Sequence, residues 1–300
     1  MGDNEMDYYN LPARTLSNIH LSLDFLTQAG PRIVRLSVAG SKENLLAELP
    51  EVVLPTSFGD FHILGGHRLW HAPEDMPRTY IPDDAGLTVE DLPDGVRLNQ
   101  PTEAATGIRK TMEIHLQANR PALTIVHTLQ NEGLWAVDLA AWAITQLQLG
   151  GVMVLPQLTG PADKHNLLSN RNIVLWPYTH LEDPRLQLFD DYILLYARAK
   201  LPPCKAGCFN PRGWIGYLIG NMFFVKHAAV QPNAAYPDRG CNIESYVCDK
   251  FIESETLGPL THLEPGQAAT HVENWEFYTG VYTPQSIEGV REVVKTLKLG

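Results

Sequence analysis

The chain has 300 residues, 44% hydrophobic and 19% charged, with a formal net charge of -11. That composition supplies a substantial core and excludes a disordered chain. The acidic balance, without any run of Lys or Arg, excludes the basic face that duplex nucleic acid requires.

The start, MGDNEMDYYN, is acidic where a signal peptide would be basic. The longest apolar run, 133–156, is interrupted by Asp138, Thr145, Gln146 and Gln148, so no membrane span is expected. There is no Asn-x-Ser/Thr sequon, and four cysteines are too few for a disulfide scaffold. A cytoplasmic protein with free thiols is the expectation, and no pattern specifies an oligomeric state.

From Asn18 the chain reads as short strands, NIHLSLDFLT and PRIVRLSVAG, with a turn at Gly30-Pro31. Next, FGDFHILGGHRLWHAPE sets a glycine pair before His67, Arg68, Trp70, His71 and Glu74, a dense group of functional side chains beside flexible backbone. The acidic, proline-rich stretch 75–95 reads as a surface loop or lid. In TGIRKTMEIHLQ, Ile108, Met112, Ile114 and Leu116 alternate with polar residues, which predicts a strand with one buried face. PALTIVHTLQN follows, with His127 as a core histidine.

LWAVDLAAWAITQLQL is the longest strand candidate. Its period of two places Val137, Leu139, Ala141 and Leu147 on one side, and Asp138, Trp142, Ile144, Gln146 and Gln148 on the other. An indole beside amides suits a sugar, whose C–H face stacks on the ring while its hydroxyls hydrogen-bond; Trp142 as a plain core residue is the alternative. The segments 156–170 and 199–213 read as connectors without linker composition, so one domain over 1–300 is expected. Further strands continue to THVENWEFY, and Thr283-Pro284 opens an amphipathic helix near 284–298 carrying Ile287, Val290, Val293, Val294 and Leu297. The series predicts an all-β fold, a large antiparallel β-sandwich with a C-terminal helix.

In FIESETLGPLTHLEPG, an extended backbone puts Glu253 and Glu255 on one face, roughly 7 Å apart. Shielded from water, two such acids differ in proton affinity, which makes a general base; exposed, they are two solvated glutamates. Lys226, at the end of the apolar FFVK, is expected to deliver its ammonium to a sheet rim, where it binds an acidic sugar or pairs with an acid. Glu244 and Tyr246 share a face, as do Glu273 and Trp275. His67, His71 and Glu74 would also serve a cupin-like metal site, although the usual His-x-His pair is missing. No nucleotide-binding loop or G-x-S-x-G nucleophile motif occurs.

Taken in order, PRIVRLSVAGSKENLL, GGHRLWHAPE, IRKTMEIHL to VHTLQNEG, LSNRNIVLWPYT, YPDRGCNIESY and FIESETLGPLTHLEPG resemble the galactose mutarotase-like superfamily of aldose 1-epimerases and hexose-6-phosphate epimerases. They look most like an uncharacterised bacterial domain-of-unknown-function branch. The resemblance spans most of the chain and implies the supersandwich form of the fold, with cofactor-free interconversion of sugar anomers. Its base is a late-strand Glu before a Leu-x-Pro-Gly turn. Glu253, twelve positions before Pro265, matches it, with Glu255 in reserve. The superfamily's acid is a mid-chain His, and here the register offers Trp142. The acid would then be His71 or His67. Arg68, Lys226, Glu244 and Gln146 would bind a sugar or sugar acid, with Trp70 and Trp142 stacking on it. A non-catalytic sugar-binding protein, a lyase or hydrolase, and a cupin-like metal enzyme are the alternatives.

Overall fold

The computed structural model describes residues 5–41, 43–199 and 201–299, so part of the acidic start lies outside the described residues. In chain order the first strands are β1 (Glu5–Tyr8), β2 (Leu11–Ser17), β3 (Leu21–Leu26), β4 (Arg32–Val38), β5 (Glu48–Thr56), β6 (Gly59–Gly65) and β7 (His67–Ala72). After the single turn α1 (Met76–Thr79) come β8 (Thr88–Leu92), β9 (Gly95–Asn99), β10 (Ile108–Leu116), β11 (Ala122–Asn131), β12 (Val137–Leu147) and β13 (Val152–Pro156). The short β14 (Val174–Leu175) and β15 (Leu186–Leu188) precede β16 (Tyr192–Tyr196), β17 (Cys204–Cys208), β18 (Trp214–Ile219) and β19 (Met222–Ala228). The turn α2 (Pro237–Gly240), β20 (Ile243–Val247), β21 (Ile252–Leu257), β22 (Thr261–Leu263), β23 (Ala268–Thr279) and helix α3 (Ile287–Thr296) complete the chain.

These strands make two large sheets. One runs β1-β2-β3-β4-β7-β12-β21-β20-β17-β14, with β22 added against β12; the other runs β15-β16-β13-β18-β19-β23-β11-β10-β9-β8. Every pairing is antiparallel, so the sequence alternation translates directly into an inner and an outer face. Apolar residues from both sheets, among them Leu23, Leu36 and Ala206 from the first and Ile125, Phe224 and Phe277 from the second, merge in one core. The all-β sandwich anticipated from periodicity is the observed architecture.

Two elements frame the site. The hairpin β5-β6 stands apart as its own two-stranded sheet and returns to the first sheet through Gly65 and Gly66, whose φ values of 87° and 73° lie in the left-handed region. A Cβ on Gly66 would fall 1.9 Å from the Ile33 carbonyl oxygen, so only glycine lets the hairpin leave and β7 enter beside β4. At the other end, α3 lays Ile287, Val290 and Val294 on Trp214, Phe223 and Val225, covering the outer face of the second sheet. Ser286 caps it, accepting from the Gly289 N–H at 3.3 Å, three residues later than the Thr283-Pro284 start read from composition.

Two stretches differ from their sequence reading. Part of the acidic 75–95 segment is the edge strand β8, held by its backbone register with β9 from Thr88 opposite Asn99 to Leu92 opposite Gly95, which its charge-rich sequence does not signal. The 199–213 segment, read as a connector, holds β17, whose Cys204, Ala206 and Cys208 point into the core. Among the described residues no helix is long and apolar enough to cross a membrane. The four cysteines are free thiols, all buried.

Candidate functional site

β12 is the centre of the site. It pairs with β7 on one side, bringing Trp142 opposite Trp70, and with β21 on the other, bringing Gln146 opposite Glu253 and Ile144 opposite Glu255. Alternation then sends Arg68, Trp70, Trp142, Gln146, Glu253 and Glu255 to the face away from the second sheet. The hairpin β5-β6 and the loops around Tyr80 and Tyr178 wall this face into a cleft of about 600 Å³, which runs on past Trp142 into an arm of about 380 Å³ beside Trp176 and Asp238. The two volumes share Glu74, Tyr80, Trp142 and Lys205.

Glu253 is half-buried in the cleft wall and accepts a hydrogen bond from Gln146 Nε2 at 2.9 Å. Gln146 in turn accepts from Arg68 Nη2 at 2.6 Å, and Arg68 also donates to the Ile63 carbonyl at 2.9 Å. Arg68 therefore lies one layer below the cleft, 1% exposed, and fixes the amide that fixes the acid. Burial, with the Glu255 charge beside it, pushes the Glu253 carboxyl up to about 8.

Beneath Trp142 lies a second set of charges. Lys205 Nζ stands 2.8 Å from both Glu244 and Glu255, and Glu255 also accepts from Trp142 Nε1 at 2.8 Å. The ammonium is held between the Trp142 and Trp176 rings, 4.8 and 4.6 Å from their centroids. Burial works against the Lys205 charge, but its two carboxylates together hold its proton affinity well above that of an ordinary lysine. Burial pushes the Glu244 carboxyl well above the usual carboxylate range, and the neighbouring Glu255 charge adds to the rise that Lys205 opposes. Lys205 was missed in the sequence because β17 is short and rich in Cys and Gly. The alternation of Cys204, Ala206 and Cys208 was the signal that would have turned Lys205 outward.

Three expected site residues are elsewhere, and parity is the reason. His67 and His71 occupy the odd positions of β7 and face the second sheet, whereas Arg68 and Trp70 face the cleft. Lys226 reaches no rim. It is fully buried between the sheets, 2.6 Å from Glu273, and donates to the Ala143 and Ser254 carbonyls and to Thr145 Oγ1. Glu273 also accepts from Thr256 Oγ1 at 2.5 Å and from Trp275 Nε1 at 2.8 Å. Burial pushes the Glu273 carboxyl up, but Lys226 together with the neighbouring His67, His127 and His271 more than offsets it and holds the group well below the usual carboxylate range.

The same interior layer contains three histidines. His67 Nε2 and His127 Nε2 are 2.8 Å apart; His127 Nδ1 donates to the His271 carbonyl, and His67 Nδ1 pairs with Thr145 Oγ1. Burial keeps these imidazoles neutral by lowering their proton affinity. His67, His127 and Glu273 bring ligand-type atoms within 4.8 Å of one another. However, the Lys226 ammonium already holds the carboxylate, and each ring nitrogen has a partner, so the set reads as a closed hydrogen-bond network. The cupin-like trio of His67, His71 and Glu74 does not converge, since Glu74 lines the cleft on the other side of the sheet.

No protein-family model matches the chain, and no curated protein matches it in sequence. Its structure does resemble solved ones. A candidate aldose 1-epimerase from Escherichia coli K12 superposes with a TM-score of 0.55 at 14% identity, covering 89% of this chain and 99% of that one. A galactose mutarotase-like protein from Lactobacillus casei gives 0.53 at 10% identity, over 89% of this chain and 100% of that one. A galactose mutarotase related enzyme from Lactobacillus acidophilus gives 0.53 at 9% identity, over 91% and 100%. With its paired antiparallel sheets, the chain shares the galactose mutarotase-like fold of these solved structures.

Proposed function

We propose that the protein interconverts the anomers of an uncharged sugar in the cleft, with Glu253 as the proton-transfer group. The observation that carries this reading is a carboxyl pushed up to about 8 in a largely apolar, aromatic-walled cleft lined by Trp70, Trp142 and Tyr80. A base with that affinity is strong enough to take a hydroxyl proton and weak enough to return it near neutral pH. Glu253 removes the anomeric proton, and the oxygen's electrons form the open-chain carbonyl. The bond from the anomeric carbon to the ring oxygen breaks. Lys205, which lines the cleft and gives two of its three ammonium N–H groups to Glu244 and Glu255, uses the third to stabilise the ring oxygen as it becomes an alkoxide and donates a proton to it. Rotation about the adjacent carbon–carbon bond and closure in the reverse sense give the other anomer. The steps need only these side chains.

An uncharged substrate is favoured over a sugar acid because the cations are already engaged. Lys205 serves Glu244 and Glu255, and Arg68 serves Gln146, while Glu74, Asp238 and Asp249 line the cleft and its arm. Magnetisation-exchange NMR on a panel of aldoses and uronic acids tests the proposal. Glu253→Gln is expected to slow enzyme-dependent exchange by ~10²- to 10⁴-fold, and a fully active variant would overturn the role. A sugar-binding protein without catalysis is the second reading, favoured by Trp142, whose N–H is committed to Glu255 where the resemblance calls for an imidazole. Calorimetric binding with no acceleration of exchange would select it.

A further inference from the structure

On the far side of β7 from the sugar cleft lies a separate cavity of about 280 Å³. His71 lines it, 2% exposed, and neither ring nitrogen has a hydrogen-bond partner among the described residues. Buried imidazole nitrogens are ordinarily paired, and here the nearest protein acceptor, Glu103 Oε2, stands 3.8 Å from Nε2, so the ring's hydrogen-bonding capacity is left unused within the protein. Arg78, from α1, lines the same space. Its Nε is buried and also without a hydrogen-bond partner among the described residues, and the guanidinium's one hydrogen bond is a long one, 3.4 Å, to the Pro73 carbonyl.

The charges around the cavity set the ligand's sign. Glu103 Oε2 lies 3.8 Å from His71 Nε2, but the carboxylate is matched by Lys110 at 2.5 Å and accepts from Thr106 Oγ1 at 2.6 Å. Asp138, at the mouth, is paired with His262 at 2.9 Å. Asp75 lines the mouth as well, on the exposed side of α1. Arg78 thus stands beside neutral His71 with no carboxylate at ion-pair distance among the described residues. The remaining wall, Ile108, Val137 and Leu139, is apolar.

We propose that this cavity binds a small monocarboxylate with a short apolar tail. Its carboxylate bridges the Arg78 guanidinium and the His71 ring, and its tail rests on Ile108 and Leu139. One cation and one imidazole donor match one carboxylate, and the apolar wall leaves a second charged group without a partner. The site is independent of the sugar reading, because none of Glu253, Gln146, Arg68 and Lys205 lines it; of its lining only Asp75 also borders the arm of the cleft.

The test is a titration of the full chain, labelled with ¹⁵N at histidine, using sodium butyrate as the probe and butyramide as its neutral isostere. The expected result is a saturable shift of the His71 ring nitrogens with butyrate. Butyramide and the Arg78→Ala variant should each bind about tenfold more weakly or worse. Arg78 is partly exposed on α1, so its replacement leaves both sheets intact. A His71 resonance unmoved by butyrate, or equal binding of the amide, or equal binding by Arg78→Ala, would overturn the proposal.

Discussion

The two faces of β12 and β21 present the same chemistry under opposite conditions. On each face a glutamate accepts an indole N–H at 2.8 Å and meets a lysine, Glu255 with Trp142 and Lys205 on one side, Glu273 with Trp275 and Lys226 on the other. Between the sheets, one acid faces one ammonium and the chain's carbonyls and hydroxyls complete the set, so Glu273 is held firmly ionised. On the cleft side, Glu244 and Glu255 share a single lysine beneath Trp142, and Glu253, in the cleft wall, receives only an amide, so Glu253 retains a proton near neutral pH. A buried charge with a full complement of partners is structural. One left short is available for proton transfer.

The largest way to break this contrast is to remove each lysine. Lys226→Met strands Glu273 where no water reaches, and urea denaturation should show a loss of ~3–5 kcal/mol. Lys205→Met should cost less, because its acids can take up a proton beside an open cleft. Equal losses would erase the distinction between closed layer and cleft.

The second comparison is by pH. If Glu253 is the base, exchange activity should rise as pH passes through about 8, and Glu255→Gln should move that midpoint downward by removing the neighbouring charge. Stability gives an independent readout. The Glu253 carboxyl binds its proton more tightly folded than unfolded, so its contribution is present below about 4.5 and is lost as pH rises through about 8. Glu253→Gln should therefore gain stability relative to the parent across that window, and a flat difference would contradict the shift.

The smallest effect separates the two indoles. Trp275→Phe leaves Glu273 one donor short inside the core, an expected cost of about 2–3 kcal/mol, whereas Trp142→Phe in the cleft wall should cost about 1 kcal/mol. Thermal or urea unfolding of the pair would show the order reversed if the cleft were the drier environment.

Periodicity alone determined much of this molecule. Trp142 and Gln146 on one face of a long strand, Glu253 with Glu255 on one face of another, and the apolar stripe of α3 all follow from backbone geometry, which fixes side-chain direction within an element. The same rule applied to β7 puts Arg68 and Trp70 on one face and His67 and His71 on the other, but the sequence alone shows them as one group, since neither the strand nor its neighbours are known from it. Only the tertiary structure decided which face the second sheet would close, and so sent His67, His71 and Lys226 away from the cleft. It alone supplied Lys205, because β17 is five residues of Cys, Lys, Ala and Gly whose strand character comes from pairing with β20 rather than from propensity. The proton affinity of Glu253 was likewise undetermined by its spacing from Glu255. It depends on how much water the hairpin β5-β6 and the surrounding aromatic loops exclude, which no local pattern records.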